Sequence, residues 1–242
     1  MDCRDPASWG PALDEAVNVL GRGGLVVVPT DTVYGLAAEP FTPEAVAALG
    51  EAAGRPAGVP PPVLVPDPRT IEGLCADVTP AARALVEAFW PGPLTLVLHA
   101  QPSLAWDLGG DGATVAVRMP DHPAALALLR RTGPLAVTGA HPVGAAPSGR
   151  FEEVLAHGAA AQLALDAGDL PASQRSTVVD ATVPVPRLLR AGAVDLVALR
   201  AVTAVLDLDG ADDTDAADGA VGTGGTGGTG GEPDPGPGDQ DR

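Results

Sequence analysis

The run Leu25-Val26-Val27-Val28 constrains this chain more than any other segment. Four consecutive aliphatic residues with no polar alternation suit a strand covered on both faces, and such strands belong to layered α/β folds. Pro29 removes a ladder donor and stops the strand. A dense polar turn, Thr30-Asp31-Thr32-Val33-Tyr34-Gly35, follows at the carboxyl end, where α/β sheets hold ligands. Taken alone, the turn reads equally well as a bend made from good turn formers.

The rest of the chain supplies partners for that strand. Ala12, Leu13, Ala16, Val17 and Leu20 recur at helical spacing, and Gly23-Gly24 closes that helix. A second helix starts after Thr42-Pro43, and Pro60-Pro61-Pro62 leads into a short strand over Val63 to Val65. Thr79-Pro80 supplies a cap and a first-turn proline for a helix reaching Phe89, which Trp90-Pro91-Gly92-Pro93 stops. Further strands are predicted over Leu94 to Leu98, Thr114 to Arg118, Leu135 to Thr138, Gln162 to Leu165 and Thr177 to Val179, and around Leu188. Helices are predicted over Pro123 to Arg131 and around Phe151 to Ala156. Helices and strands intermix without strict alternation, so the expectation is one α/β domain over residues 10–202 with a twisted mixed sheet.

Residues 207–242 have almost nothing apolar to bury and end in Gly-Gly-Thr repeats, which predicts a disordered acidic tail. Nine aspartates and one glutamate there face only Arg242, so the tail carries −9 of the net −17 and the remainder −8. All fourteen basic residues are arginines and none forms a basic run, which argues against stable nucleic-acid binding but leaves room for an arginine-lined nucleotide cleft. Cys3 and Cys75 form no motif, as expected in a reducing cytoplasm. No apolar run is long enough to span a membrane, and none reads as a signal peptide.

Five further segments complete a pattern with the opening turn: Gly54-Arg55-Pro56; Trp90 to Val97; Thr114-Val115-Ala116-Val117-Arg118-Met119-Pro120; Ser176-Thr177-Val178-Val179-Asp180; and Leu189-Arg190-Ala191-Gly192. In this order they resemble the YrdC-like threonylcarbamoyl-AMP synthase family, and the resemblance covers roughly residues 10–200. It implies a concave sheet enclosing a large cavity. It also implies a cytoplasmic nucleotidyltransferase that joins L-threonine, bicarbonate and ATP into threonylcarbamoyl-AMP, releasing pyrophosphate. Other proteins would use that product to make threonylcarbamoyladenosine in transfer RNA.

The same resemblance assigns Thr30, Thr32, Arg118 and Ser176 to threonine, and Arg55, Thr114, Ser148 and Arg190 to the nucleotide. Arginine forks suit both a carboxylate and a triphosphate. Magnesium is expected with ATP, although the chain has no ligand cluster of its own for it. Trp90 to Pro93 reads as a helix stop, His122 as a helix-start residue, and His99 and His157 as solvated.

Three departures leave two functions open. The family's lysine two residues before Arg55 is Ala53, with Arg69 and Arg150 as candidate replacements. Its Ser-Ala-Asn loop reads Gly139-Ala140-His141, which makes His141 a candidate catalytic or donor group. Pro60-Pro61 replaces a Pro-Leu. The chain is therefore either an active synthase or an impaired paralogue that binds threonine, a nucleotide or a partner. RNA binding on the concave surface is a third reading, disfavoured by the acidic balance.

Overall fold

Strand alternation decides where the cavity forms. The computed structural model describes residues 1–56, 58–141, 148–157, 160–171 and 174–208. The tail expected beyond Asp207 lies outside these residues from position 209 onward. Among the described residues, ten strands form one mixed sheet: β1 (Val26–Val28), β2 (Gly35–Ala38), β3 (Val63–Leu64), β4 (Cys75–Ala76), β5 (Leu94–Ala100), β6 (Thr114–Arg118), β7 (Leu135–Gly139), β8 (Leu163–Ala164), β9 (Thr177–Asp180) and β10 (Arg187–Arg190). Their order is β10-β9-β5-β6-β3-β7-β2-β1-β8, with β4 paired to β5. The expected single α/β domain with a mixed sheet is what the chain adopts.

The helices are α1 (Trp9–Gly21), α2 (Pro43–Ala52), α3 (Ile71–Leu74), α4 (Pro80–Phe89), α5 (Pro123–Thr132), α6 (Phe151–His157) and α7 (Leu196–Val202). Thr79 caps α4 as its sequence predicts, its Oγ1 accepting from Ala82 N at 3.1 Å. Successive side chains on a strand point to opposite faces, and this sheet uses both. Leu94, Leu96, Leu98, Val115, Val117, Ala136 and Val179 point to one face, in the same buried cluster as Ala45 and Leu49 of α2, Ile71 of α3, Leu85 of α4 and Leu199 of α7. On the other face, Val26, Val28, Leu64, Leu135 and Val137 share a second cluster with Ala16 and Leu20 of α1 and Leu128 and Leu129 of α5. Helices α1 and α5 cover only part of that second face. The cavity occupies the part around Thr95, Val97, Ala116 and Arg118.

The polar turn after β1 is a hairpin loop, because β2 returns antiparallel to β1 with Val28 opposite Gly35. This hairpin lies toward one end of the sheet, with β8 alone beyond β1.

Both cysteines are buried, and burial pushes the Cys3 thiol up to about 11 and the Cys75 thiol up to about 12. Because the thiolate is the nucleophile, neither should react with a thiol reagent at neutral pH in the native protein. Both should label within minutes in denaturant; rapid native labelling would contradict this burial.

Candidate active site

The hairpin turn is built by its own threonine. Thr30 Oγ1 donates to Val33 O at 2.6 Å and accepts from the backbone N–H groups of Thr32 and Val33 at 3.2 and 3.3 Å. Such side-chain-to-backbone bonds lock a short turn. Thr30 is thereby committed to shape, although it also lines the cavity. Its neighbour Thr32 lies 3.0 Å away, hydroxyl to hydroxyl, and accepts from Arg118 Nη1 at 2.9 Å.

Arg118 ends β6 and is only 6 % exposed. Its three nitrogens have separate partners: Nε donates to Gly92 O at 3.0 Å, Nη1 to Thr32, and Nη2 to the Asp31 carboxylate. Burial pushes the guanidinium pKa down, and the Asp31 charge opposes that shift. Trp90 to Pro93 is thus more than a helix stop, because the Gly92 carbonyl orients Arg118.

Arg55 owes its direction to the end of α2. Gly54 takes φ +64°, Gly54 N donates to Glu51 O at 3.0 Å, and Arg55 N donates to Gly50 O at 2.9 Å. This pair of bonds is the Schellman arrangement, which favours glycine at the left-handed position. From there Arg55 reaches Pro60 O and Thr138 Oγ1, each at 3.1 Å.

The third wall is the start of β9. Ser176 Oγ lies 2.9 Å from Thr95 Oγ1, and Arg190 at the end of β10 donates to Ser176 O at 3.0 Å and to Ser176 Oγ at 3.1 Å.

Of the residues named from sequence, Thr30, Thr32, Arg55, Arg118, His141, Ser176 and Arg190 all line one cavity. Thr114 and Ser148 are not among its lining residues. Thr114 sits at the far end of β6 from Arg118, opposite His99, and its Oγ1 is buried without a partner. Ser148 Oγ accepts from Arg150 N at 3.0 Å, just before α6.

Ala53 is the buried C-cap of α2 and stands outside the cavity wall. Neither candidate replacement reaches the cavity: Arg69 pairs with Asp67 at 3.0 Å and Arg150 with Glu153 at 3.6 Å, both well exposed. The cation that sequence reasoning missed is Arg175, which lines the cavity 3.4 Å from His141 Nε2. Thr95 and Thr138 were missed as well; each interrupts an aliphatic run within its strand, a signal that could have found them. His99 is exposed, as expected, whereas the His157 side chain and residues 142–147 lie outside the described residues. Among the described residues, no group of three or more His, Cys, Asp or Glu side chains could hold a metal. Nor is any described helix long and apolar enough to cross a membrane.

His122 stands at the N-cap position of α5 without a side-chain cap bond. Burial pushes its pKa below 6.5, with Asp31 and Asp121 opposing the shift. The unfolded chain then binds the proton more readily, so stability is full above pH 6.5 and is lost as pH falls below it. Urea midpoints should therefore drop as pH falls below 6.5, and a His122→Leu variant should lose less over the same range. Identical pH profiles for the two proteins would reject the role.

A concave mixed sheet with four arginines and a cluster of hydroxyls in one cavity defines an α/β domain built to bind a small anionic ligand. The Sua5–YciO–YrdC family profile, described as telomere recombination, matches residues 18–192, and the chain belongs to that family. A Mycobacterium tuberculosis protein provisionally named threonylcarbamoyl-AMP synthase is 44% identical over 206 residues, covering 85% of this chain and 95% of that protein. The threonylcarbamoyl-AMP synthase of Bacillus subtilis is 36% identical over 86% of this chain and 62% of its own length. The crystal structure of Pyrococcus abyssi Sua5 complexed with L-threonine superposes with a TM-score of 0.74 at 34% identity, covering 80% of this chain and 58% of that one. The chain thus spans a little under two thirds of the Bacillus and Pyrococcus proteins.

Proposed function

We infer that the chain is a threonylcarbamoyl-AMP synthase, which condenses L-threonine, bicarbonate and ATP into threonylcarbamoyl-AMP, pyrophosphate and water. The observation that carries this reading is that one cavity gathers two kinds of polar group. Asp31 balances Arg118 beside the Thr30 and Thr32 hydroxyls, an environment suited to a zwitterionic amino acid. Arg55 and Arg190 line the same cavity, and guanidinium forks suit phosphate oxygens.

In this reading Thr32, Arg118 and Ser176 hold threonine, Thr30 shapes their turn, and Arg55 and Arg190 hold the nucleotide. Magnesium arrives with ATP, coordinated mainly by phosphate oxygens and water. The product goes to the cytoplasmic proteins that modify transfer RNA. Relatives named for this reaction, and a related structure holding threonine, support the assignment.

Incubating the protein with ATP, threonine and bicarbonate should release pyrophosphate and form threonylcarbamoyl-AMP, both dependent on all three substrates. Threonine binding by calorimetry with no product under any condition would instead favour the binding paralogue that Ala53 and His141 suggest. ATP binding without threonine binding would contradict the synthase reading and leave a nucleotide-binding paralogue.

A further inference from the structure

Resting on the reading above, we propose that Thr95 is a specificity-determining residue of the amino-acid site, where its hydroxyl, paired with that of Ser176, reads the side-chain hydroxyl of a β-hydroxy amino acid. Thr95 is 3% exposed, lines the cavity and lies 2.9 Å from Ser176 Oγ. The pairing of Leu96 with Val117 sets the preceding residue, Thr95, beside the following one, Arg118, where β5 begins and β6 ends. Residues opposed in this way have Cα atoms about 4.5–5.5 Å apart. Both side chains face the cavity. Thr95 therefore stands between Ser176 and Arg118, which itself reaches Thr32 at 2.9 Å.

The hydroxyl hydrogens divide the site into two kinds of wall. A hydroxyl carries one hydrogen and two acceptor positions. Thr30 spends its hydrogen on Val33 O, so its 3.0 Å contact with Thr32 uses the Thr32 hydrogen. Thr32 Oγ1 also accepts from Arg118 Nη1, and it can offer a ligand only an acceptor. Across the cavity, Ser176 Oγ accepts from Arg190 Nη2 at 3.1 Å, and one hydrogen suffices for its contact with Thr95. Whichever of the two donates, the other keeps its hydrogen, and among the described residues nothing else takes it. Thr95 and Ser176 thus present a donor and an acceptor together.

That division matches the groups of a hydroxy amino acid one by one. An ammonium needs acceptors, which Asp31 and Thr32 supply, and a carboxylate needs a cation, which Arg118 supplies. A neutral hydroxyl both donates and accepts, as does the pair of Thr95 and Ser176. Two positions away from Thr95 and Arg118 on the same face, Val97 stands opposite Ala116, and both line the cavity. A polar row and an apolar row therefore lie side by side, one for the hydroxyl and one for the methyl of a branched β-carbon. An amino acid of the same shape without the hydroxyl would leave the spare hydrogen of the buried pair unpartnered. A site built around a hydroxyl rejects such an analogue far more strongly than a pocket rejects a missing methylene.

The test uses the full-length protein and ligands that differ by one group. In calorimetry with L-threonine, L-valine and L-serine, threonine should bind at least about a hundredfold more tightly than valine. Thr95→Val keeps the shape of the side chain and removes its hydroxyl, so with Ser176 still in place it should narrow that ratio by about tenfold, mostly through lost threonine affinity. Thr95→Ser should preserve the ratio. ATP affinity in Thr95→Val should stay within about twofold of the native value. Ala116→Val, which fills the apolar row, should weaken threonine more than serine.

An unchanged ratio of threonine to valine affinity in Thr95→Val would overturn the proposal and leave the synthase reading standing. Parallel loss of ATP and threonine binding in that variant would overturn it too, because the substitution would then act on the fold rather than on one substrate. A narrowed ratio in a protein that forms no threonylcarbamoyl-AMP would uphold the hydroxyl reader and overturn the synthase reading. A native protein that binds neither threonine nor valine would overturn both.

Discussion

Arg118→Met is expected to abolish measurable threonine binding and to lower the unfolding free energy by about 3–5 kcal/mol, the usual cost of leaving one partner of a buried ion pair alone. The side chains of Arg118 and Asp31 are only 7% and 13% exposed, so the stranded carboxylate cannot recover its hydration. Gly92 O and Thr32 Oγ1 lose a donor at the same time. Urea unfolding measures the first effect and calorimetry with threonine the second.

A companion variant separates stability from function. Asp31→Asn combined with Arg118→Met removes both charges and should recover most of the stability, since a neutral buried pair costs far less than a lone ion. It should not recover threonine binding. A double variant that binds threonine normally would show that Arg118 does not hold that substrate, and a stable Arg118→Met would show that the ion pair does not matter for folding.

Gly192→Ala is the second large effect. A Cβ at 192 would stand 2.5 Å from the carbonyl carbon and oxygen of Ser176 and from Thr177 N, all backbone atoms that cannot swing aside. Residues 190–192 and the start of β9 must then separate. That displaces the Ser176 oxygens to which Arg190 donates. We expect a stability loss of about 1–3 kcal/mol from overpacking, together with weaker ATP binding. Gly50→Ala provides the contrast: it lies within α2, nothing stands within 4 Å of its Cβ position, and it should stabilise by about 0.5–1 kcal/mol. Equal effects at both positions would remove the steric argument.

Elements with strong local signals were legible from sequence. β1, β5, β6 and β7 are aliphatic runs, and α2, α4 and α5 begin with proline in the first turn. β2 was not legible, because Gly35-Leu36-Ala37-Ala38 has little strand propensity and is held extended by β1 on one side and β7 on the other. α7 carries a clear cap, Asp195 accepting from Ala198 N at 2.7 Å, but it is short and follows a glycine-containing loop.

The candidate site divided in the same way. Thr32, Arg118, Ser176 and Arg190 sit at strand ends or turns flanked by recognisable patterns, so their positions could be read. Their partnerships could not, since Asp31 and Arg118 are separated by 87 positions and meet only through the sheet. Ser148 is not among the cavity-lining residues, and its loop has no periodicity from which its register could be read. Thr114 shares a strand face with Arg118, but it lies a full strand length away. Arg175 escaped notice because a single arginine in a polar loop carries no local signal.

The parallel pairing of β9 with β5 joins Thr177 to Leu94 across more than a third of the chain. Loop closure on that scale comes late in folding, after local hairpins such as β1 and β2 have formed. Before that closure the polypeptide already carries Thr32 and Arg118 but has no Arg175, Ser176 or Arg190 beside them. Competence to bind therefore waits on long-range joins such as this one, and a nascent or partly unfolded molecule cannot sequester either substrate. Ligand protection against proteolysis should accordingly extend to the whole sheet rather than to the turn alone.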